Sequence, residues 1–538
     1  MADVRATPFI PQPARLDLIG SVLATVFGCL SLTPSLLPRT WLVQGLVSGL
    51  CAVTGYALGC LASRPLRAVL RRSRPRRSQP RWAWPAFAVV AVPATLLCAY
   101  QGWRWQQEIS RLVGVPAPPA VSWPAFLMVA AAVFAGLLGL ARLLRRGVAT
   151  LQHREHRHRT AAAVVVLCAL GPAGAAAPAG TLDAFSQALD RRVTGVPAPV
   201  AATRSGGPGS LAPWATLGRE GRSFVTDGLS TPHRTAPIRV YAGLRSAPTS
   251  RDRARLAVAE LERTGAFHRA VLCLVIPTGT GWIDEPTVRA LEDQYDGDTA
   301  VAVIQYGALP SWLSLLTEPD RAEDAARALL DEVHRAWVRL PAAARPKLLL
   351  YGHSQGALAA QSPFGTAGSL LGEVDGALIS GPPNASPLWS GLVAGRSRTS
   401  TEVSPELPEE PGVRFADGAA DLVAAGRPRV VFLQHPTDPV VWWSPELILH
   451  RPDWLREARG DAVLPSVRWI PFVTFWQLSG DMLKALDVPA GYGHGYGEEA
   501  GAAWRLITGS SSDGHEQGNW RVGRSDIPDS AYSPITDR

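Results

Sequence analysis

The 538-residue sequence predicts an N-terminal transmembrane α-helical bundle followed by an α/β domain on a mainly parallel sheet. Three observations predict it. Residues 1–180 hold 19 Arg against four acids (Asp3, Asp17, Glu108, Glu155), a balance of +15, whereas the remainder holds 34 basic and 41 acidic residues, a balance of −7. Apolar stretches of membrane-spanning length are confined to that basic part. Beyond it, short apolar runs alternate with helical patterns, as strands joined by covering helices do.

The charge split also excludes a function. A net charge of +8 suggests a nucleic-acid partner only until the charge is located in the loops of an apolar domain. Cysteine usage agrees. Cys29, Cys51, Cys60, Cys98 and Cys168 sit in apolar runs as small hydrophobes, and Cys273 lies in a strand-like run, so the acidic part has no disulfide framework or cysteine-based metal site.

About five spans are expected, near Leu18–Leu37, Trp41–Leu61, Trp84–Tyr100, Trp123–Leu144 and Ala161–Gly180. Each approaches the ~20 helical residues that cross a bilayer core of about 30 Å. Trp41, Trp82, Trp84, Trp103, Trp105 and Trp123 mark their edges, where amphipathic rings favour the headgroup zone. Eight Arg (64 to 81) follow the second span and six (142 to 159) follow the fourth, against one and two in the other connections. Positive loops stay cytoplasmic, so the chain is expected to emerge outside after the fifth span, with the acidic α/β domain extracytoplasmic. The spans carry almost no ionisable groups, which favours an anchor or lipid-facing platform over a transporter. The "HREHRHR" run (153–159) interleaves His with Arg and reads as a solvated basic loop, not a metal site.

Residues 183–213 follow as a linker, Pro/Gly/Ala/Ser-rich from 195 on, between a transmembrane domain (1–182) and an α/β domain (214–510); a polar tail (511–538) closes the chain. The strand candidates are 270–276, 299–306, 347–351, 374–380, 429–434 and 466–470. "EPDRAEDAARALLDEVHRAWVRL" between the second and third is an amphipathic helix, with Pro319 in its first turn and Pro341 closing it.

Between the strand "KLLLY" and the small-residue helix "GALAAQ" stands Gly352-His353-Ser354-Gln355-Gly356. A serine at a sharp strand-to-helix turn, flanked by glycines, is the nucleophile elbow of the α/β-hydrolase fold. A serine hydroxyl needs a base, and the base an orienting acid, in chain order Ser, Asp/Glu, His. "HPTDPVVWW" directly after strand 429–434 offers Asp438, and the glycine-rich "PAGYGHGYG" offers His494. His435, His353 and His515 compete less well for the base, as do Asp417 and Asp453 for the acid. An oxyanion hole needs two backbone N–H groups: Gln355 supplies one by position, and Thr278 or Gly279, after strand 270–276, the other. The 48 residues between Ser380 and Arg429 exceed a usual connection of about 2–6 and predict a lid or pocket wall. Leu388 and Trp389 facing Trp442 and Trp443 would line an apolar cleft for acyl esters. No metal or nucleotide motif appears, so no cofactor is expected.

With these residues assembled, the chain resembles the membrane-anchored α/β-hydrolase family of actinobacterial type, which has a hydrophobic N-terminal domain. The carriers are "SLTPSLLPR" (31–39), "WATLGREGRSFV" (214–225), "YGHSQG" (351–356), "FWQLSGDM" (475–482) and "VPAGYGHGYG" (488–497), and the resemblance covers nearly the whole chain. It implies a serine hydrolase using Ser354, Asp438 and His494, and no substrate; membrane lipid and an acyl-ester or lipid-like substrate are expected as partners from the apolar spans and the expected apolar cleft. An esterase, lipase or acyltransferase is the reading favoured; a non-catalytic binding module on the same fold, or a serine peptidase, is the alternative.

Overall fold

The computed structural model describes residues 16–73, 82–152 and 195–509, apart from 230, 424, 425 and 461. The N-terminal part contains α1 (Leu18–Leu30), α2 (Trp41–Ser73), α3 (Ala83–Val113) and α4 (Phe126–Gln152). Three described helices are long and apolar enough to cross a bilayer, over Trp41–Ser63, Ala83–Val113 and Trp123–Gly147, where about five were expected. The first stretch falls short: α1 has 13 residues, roughly 20 Å of helix, because Pro34 and Pro38 follow in a turn-forming segment that cannot continue it. The proposed fifth span, Ala161–Gly180, lies outside the described residues.

Helix α2 is the hub of the bundle. A Cβ at Gly45 or Gly49 would sit 2.5 or 2.6 Å from the Cβ of Val129 or Val133 on α4, and one at Gly55 would sit 2.4 Å from the Leu23 carbonyl of α1. Small residues four apart on two faces of one helix let both neighbours approach at backbone distance, the usual basis of helix association in lipid.

The soluble part runs α5 (Gly218–Thr226), β1 (Ile238–Ala242), α6 (Ser250–Thr264), β2 (Val271–Ile276), α7 (Glu285–Gln294), β3 (Thr299–Ile304), α8 (Ser311–Thr317), α9 (Pro319–Val338), β4 (Lys347–His353), α10 (Gln355–Gln361), α11 (Ala367–Glu373), β5 (Gly376–Ser380), α12 (Pro387–Ala394), β6 (Val413–Ala416), β7 (Val430–Leu433), α13 (Pro439–Trp442), α14 (Val473–Asp481) and α15 (Gly497–Thr508). Seven strands form one wholly parallel sheet in the order β1-β3-β2-β4-β5-β7-β6. Helices cover both faces and give two apolar cores, one holding Leu272, Leu350 and Leu329, the other Val301, Leu349 and Trp504. Burial on both faces is why the strands read as continuous apolar runs.

Two expectations fail. "SVRWI" (466–470) is not a strand: Val467 N–H closes a turn on the Leu464 carbonyl, and Ile470 N–H is taken by Thr474 Oγ1 at the entry to α14. Residues 195–213 are not a free linker. Arg204 pairs with Arg239 at the edge of β1, and Glu260 of α6 accepts from Leu211 N–H at 2.5 Å. Strands β1 and β6, which the sequence hid, each carry an arginine. Arg239 is fully buried and doubly bonded to Glu292, at 2.7 and 2.6 Å.

The two parts meet in a buried polar joint. Arg39 Nε donates to Asp481 at 2.7 Å, with both side chains fully buried. Asp481 also accepts from Ser35 Oγ and Leu36 N–H, each at 3.1 Å. Arg39 donates further to Ser35 Oγ, Gln44 and the Gln477 carbonyl, and its own N–H goes to Gln106. Two segments singled out in the sequence, 31–39 and 475–482, are the two sides of this joint.

Candidate active site

Strand β4 delivers Ser354 to the sheet's carboxyl edge with φ 56° and ψ −125°, a strained conformation for a residue with a Cβ. The neighbouring glycines are obligatory for packing. A Cβ on Gly352 would lie 2.5 Å from the Gly356 carbonyl, and one on Gly356 would lie 2.1 Å from that of Ile276. Ser354 N–H donates to the Ser380 carbonyl at 3.0 Å, tying the elbow to the end of β5.

Asp438 leaves the end of β7 fully buried and caps α13, with Oδ1 accepting from Val440 N–H at 2.8 Å. Its Oδ2 lies 2.6 Å from His494 Nδ1 and 2.6 Å from the Tyr496 hydroxyl, which donates to it. A carboxylate acceptor assigns the proton to Nδ1 and leaves a lone pair on Nε2. That Nε2 is buried and has no hydrogen-bond partner. The imidazole lies over the end of β5, where a Cβ on Gly381 would come within 2.5 Å of His494 Cε1. Ser354, Asp438 and His494 thus emerge at the ends of β4, β7 and the 482–494 loop on one edge of the sheet. Two backbone contacts fix the histidine loop: His494 N–H to the Ala485 carbonyl (2.7 Å) and Gly493 N–H to Thr437 Oγ1 (2.9 Å).

Two other histidines complete the surroundings. His353 is buried 4.5 Å from the His494 ring, centroid to centroid, and both its nitrogens lack partners. Burial, followed by repulsion from His494, holds its pKa well below the usual imidazole range, so it adds no charge there. His435 faces acceptors on both nitrogens, the Gly493 carbonyl at 2.9 Å and Glu499 at 3.2 Å, and stacks on Tyr496 at 4.2 Å. Burial opposes its charged form, but Glu499, Gly493 and Asp438 together outweigh that and raise its pKa. Neither competes as the base. Asp417 and Asp453 lie away from the imidazole, Asp453 pairing with Arg396 and Arg456. His515 falls outside the described residues.

The oxyanion-hole expectation needs one correction. Gln355 opens α10, so its N–H has no intrahelical acceptor. Thr278 N–H is already given to the Trp282 carbonyl at 3.0 Å, closing a turn. Gly279 N–H makes only a long contact, 3.4 Å, to Ser311 Oγ, and a Cβ there would meet Gln355 Oε1 at 2.9 Å. Gly279 is therefore the better-placed donor beside the elbow.

The expected aromatic cleft is core instead. Leu388, Trp389 and Trp442 are buried; Trp389 donates to Gln434 at 2.7 Å and Trp442 to the His435 carbonyl at 3.0 Å. Only Trp443 stays half-exposed, 5.4 Å from Phe475. Tyr496 and His435 were missed as supports because nothing in "GYGHGYG" or "QHPTD" shows which atoms face one another after folding.

No curated protein and no solved structure matches the chain. A model described as "Alpha/beta-hydrolase family N-terminus" matches residues 32–228. Because the "Alpha/beta-hydrolase family" model matches residues 238–519, more than half of the sequence, the chain belongs to the alpha/beta-hydrolase family.

Proposed function

We propose that this protein is a membrane-anchored serine hydrolase, an esterase, lipase or acyltransferase acting on acyl esters or envelope lipids. The observation that carries it is His494, bonded through Nδ1 to a buried carboxylate with Nε2 unpartnered, beside a serine held at positive φ. On this reading His494 Nε2 takes the Ser354 proton as Oγ attacks the ester carbonyl. The carbonyl electron pair moves onto oxygen, where the Gln355 and Gly279 N–H groups receive it. His494 then returns the proton to the departing alcohol as the tetrahedral intermediate collapses to acyl-serine. Water or another alcohol, deprotonated by the same nitrogen, completes the cycle. Asp438 and Tyr496 hold the ring in its tautomer throughout. A fluorophosphonate probe should label the wild-type protein, and mapping should place the adduct on the peptide containing Ser354; an unlabelled but folded protein overturns the reading.

The catalytic domain is assigned to the extracytoplasmic side. It docks on the bundle end carrying residues 31–41 and Ile109 and Val113 of α3, whereas the Arg-rich segments follow the opposite ends of α2 and α4. Alkaline phosphatase fused after Pro213 should be active and green fluorescent protein at the same point dark. The reverse pattern would put the enzyme in the cytoplasm.

A further inference from the structure

Helix α14 belongs to the hydrolase by sequence but not by depth. Trp476 Nε1 donates to Thr54 Oγ1 at 3.1 Å, and Thr54 lies about 20 Å along α2 from Trp41 at 1.5 Å per residue. Phe472, just before the helix, packs on Phe27 of α1 with ring centroids 6.4 Å apart. Val473 is buried with Val43, Val47 and Cys51, and a Cβ on Gly480 would lie 2.4 Å from Val47 Cγ2. The helix therefore runs antiparallel along α2, from the Arg39–Asp481 pair at its top to the middle of a span at its foot.

Its chemistry suits that depth. Residues 470–480 contain no ionisable side chain, and the one acid that follows is neutralised by Arg39. The polar groups are satisfied inside protein: Gln477 donates to Thr33, Ser479 to the Phe475 carbonyl, and Ile470 N–H to Thr474. Irregular backbone is tolerated in a bilayer only when so satisfied, and Phe472 N–H is indeed taken by the Ile448 carbonyl at 3.0 Å. Phe472 itself holds φ 63°, a strained value for a bulky residue that the packing around it maintains.

One face stays uncovered. Phe472, Phe475, Trp476 and Ser479 share it at i, i+3, i+4 and i+7, and all four are half-exposed. At its top Trp443, five residues beyond Asp438, donates to Ser479 Oγ at 2.9 Å and packs against Phe475 with the rings tilted by 42°. We propose that α14 with its leading turn is a re-entrant element, and that its aromatic stripe contacts the acyl chains of the surrounding bilayer. Continuity with the apolar spans argues for that occupant, since a stripe lying beside the middle of α2 meets hydrocarbon. The substrate consequence rests on the serine-hydrolase reading: an ester resident in the bilayer enters along the stripe towards Trp443, and soluble esters bypass it.

The test uses the full chain in palmitoyl-oleoyl phosphatidylglycerol nanodiscs, with p-benzoylphenylalanine placed at Phe475 and, for comparison, at the exposed Val338 of α9. Irradiation should add the mass of one phospholipid at Phe475 and none at Val338; no adduct at Phe475, or equal adducts at both, overturns the proposal. For the substrate, Phe475→Ser should lower the ratio of long-chain, bilayer-embedded p-nitrophenyl ester turnover to acetate ester turnover about tenfold, the effect of roughly one lost aromatic contact. A ratio unchanged from wild type refutes the entry route. Absence of fluorophosphonate labelling in the wild type would sink the serine chemistry alone, because the lipid adduct is read without turnover.

Discussion

Ser354→Ala is expected, on the proposed serine-hydrolase reading, to abolish fluorophosphonate labelling and to lower ester turnover by about 10⁴-fold or more, because a nucleophile, base and acid of that kind act as one unit. The variant removes a hydroxyl that the fold does not use: the elbow's anchoring bond runs from the Ser354 backbone N–H to Ser380. Its unfolding temperature should therefore match the wild type. Ser354→Gly should lose activity equally yet gain about 1 kcal/mol, since glycine adopts φ 56° without strain. His494→Ala should fall as far as Ser354→Ala, and the double variant no further. Full labelling of Ser354→Ala would overturn the assignment.

The second large effect is structural. Asp481→Ala is expected to destabilise the folded protein by about 3–5 kcal/mol, because it leaves the Arg39 guanidinium buried without its counter-charge. Leu36 N–H and Ser35 would lose an acceptor at the same time. Exchanging both charges for apolar residues of similar volume, Arg39→Met with Asp481→Leu, should recover most of that loss, since it is the unpaired ion that costs. Thermal unfolding in detergent measures both. A single variant as stable as the double would show that the joint carries no net electrostatic burden. Asp481 also precedes Ala485, whose carbonyl holds His494 N–H, so the single variant should lose labelling before it loses secondary structure.

What could be read in the sequence divides by how local the signal is. The elbow was legible because Gly352, Ser354 and Gly356 fall within five residues, although only the Gly352 clash lies within the strand-turn-helix unit; that of Gly356 is with the Ile276 carbonyl of β2. Asp438 and His494 were legible because each follows its strand or helix with turn-forming neighbours. β1 was hidden because Arg239 breaks its apolar run, and the acids that make that charge tolerable, Glu292 and Asp227, are brought to it only by folding. The tryptophans around Trp442 suggested a cleft because the sequence gives their apolarity but not Gln434 or the His435 carbonyl, which absorb their N–H groups in the core. The first span failed on the two prolines of "SLTPSLLPR". The same segment was recognisable as distinctive, yet nothing local reveals that it closes against 475–482.

That closure bears on how the protein is made. Arg39 and Asp481 are separated by 442 positions, so the guanidinium is synthesised long before the carboxylate that neutralises it. Until α14 has been synthesised, the Arg39 end of the bundle lacks the counter-charge and the helix that pack along the start of α2. Pairing over such a distance is slow to form and comes late. A chain terminated before α14 therefore lacks the carboxylate that pairs with Arg39. The helical bundle is thus completed only when nearly the whole chain has been translated.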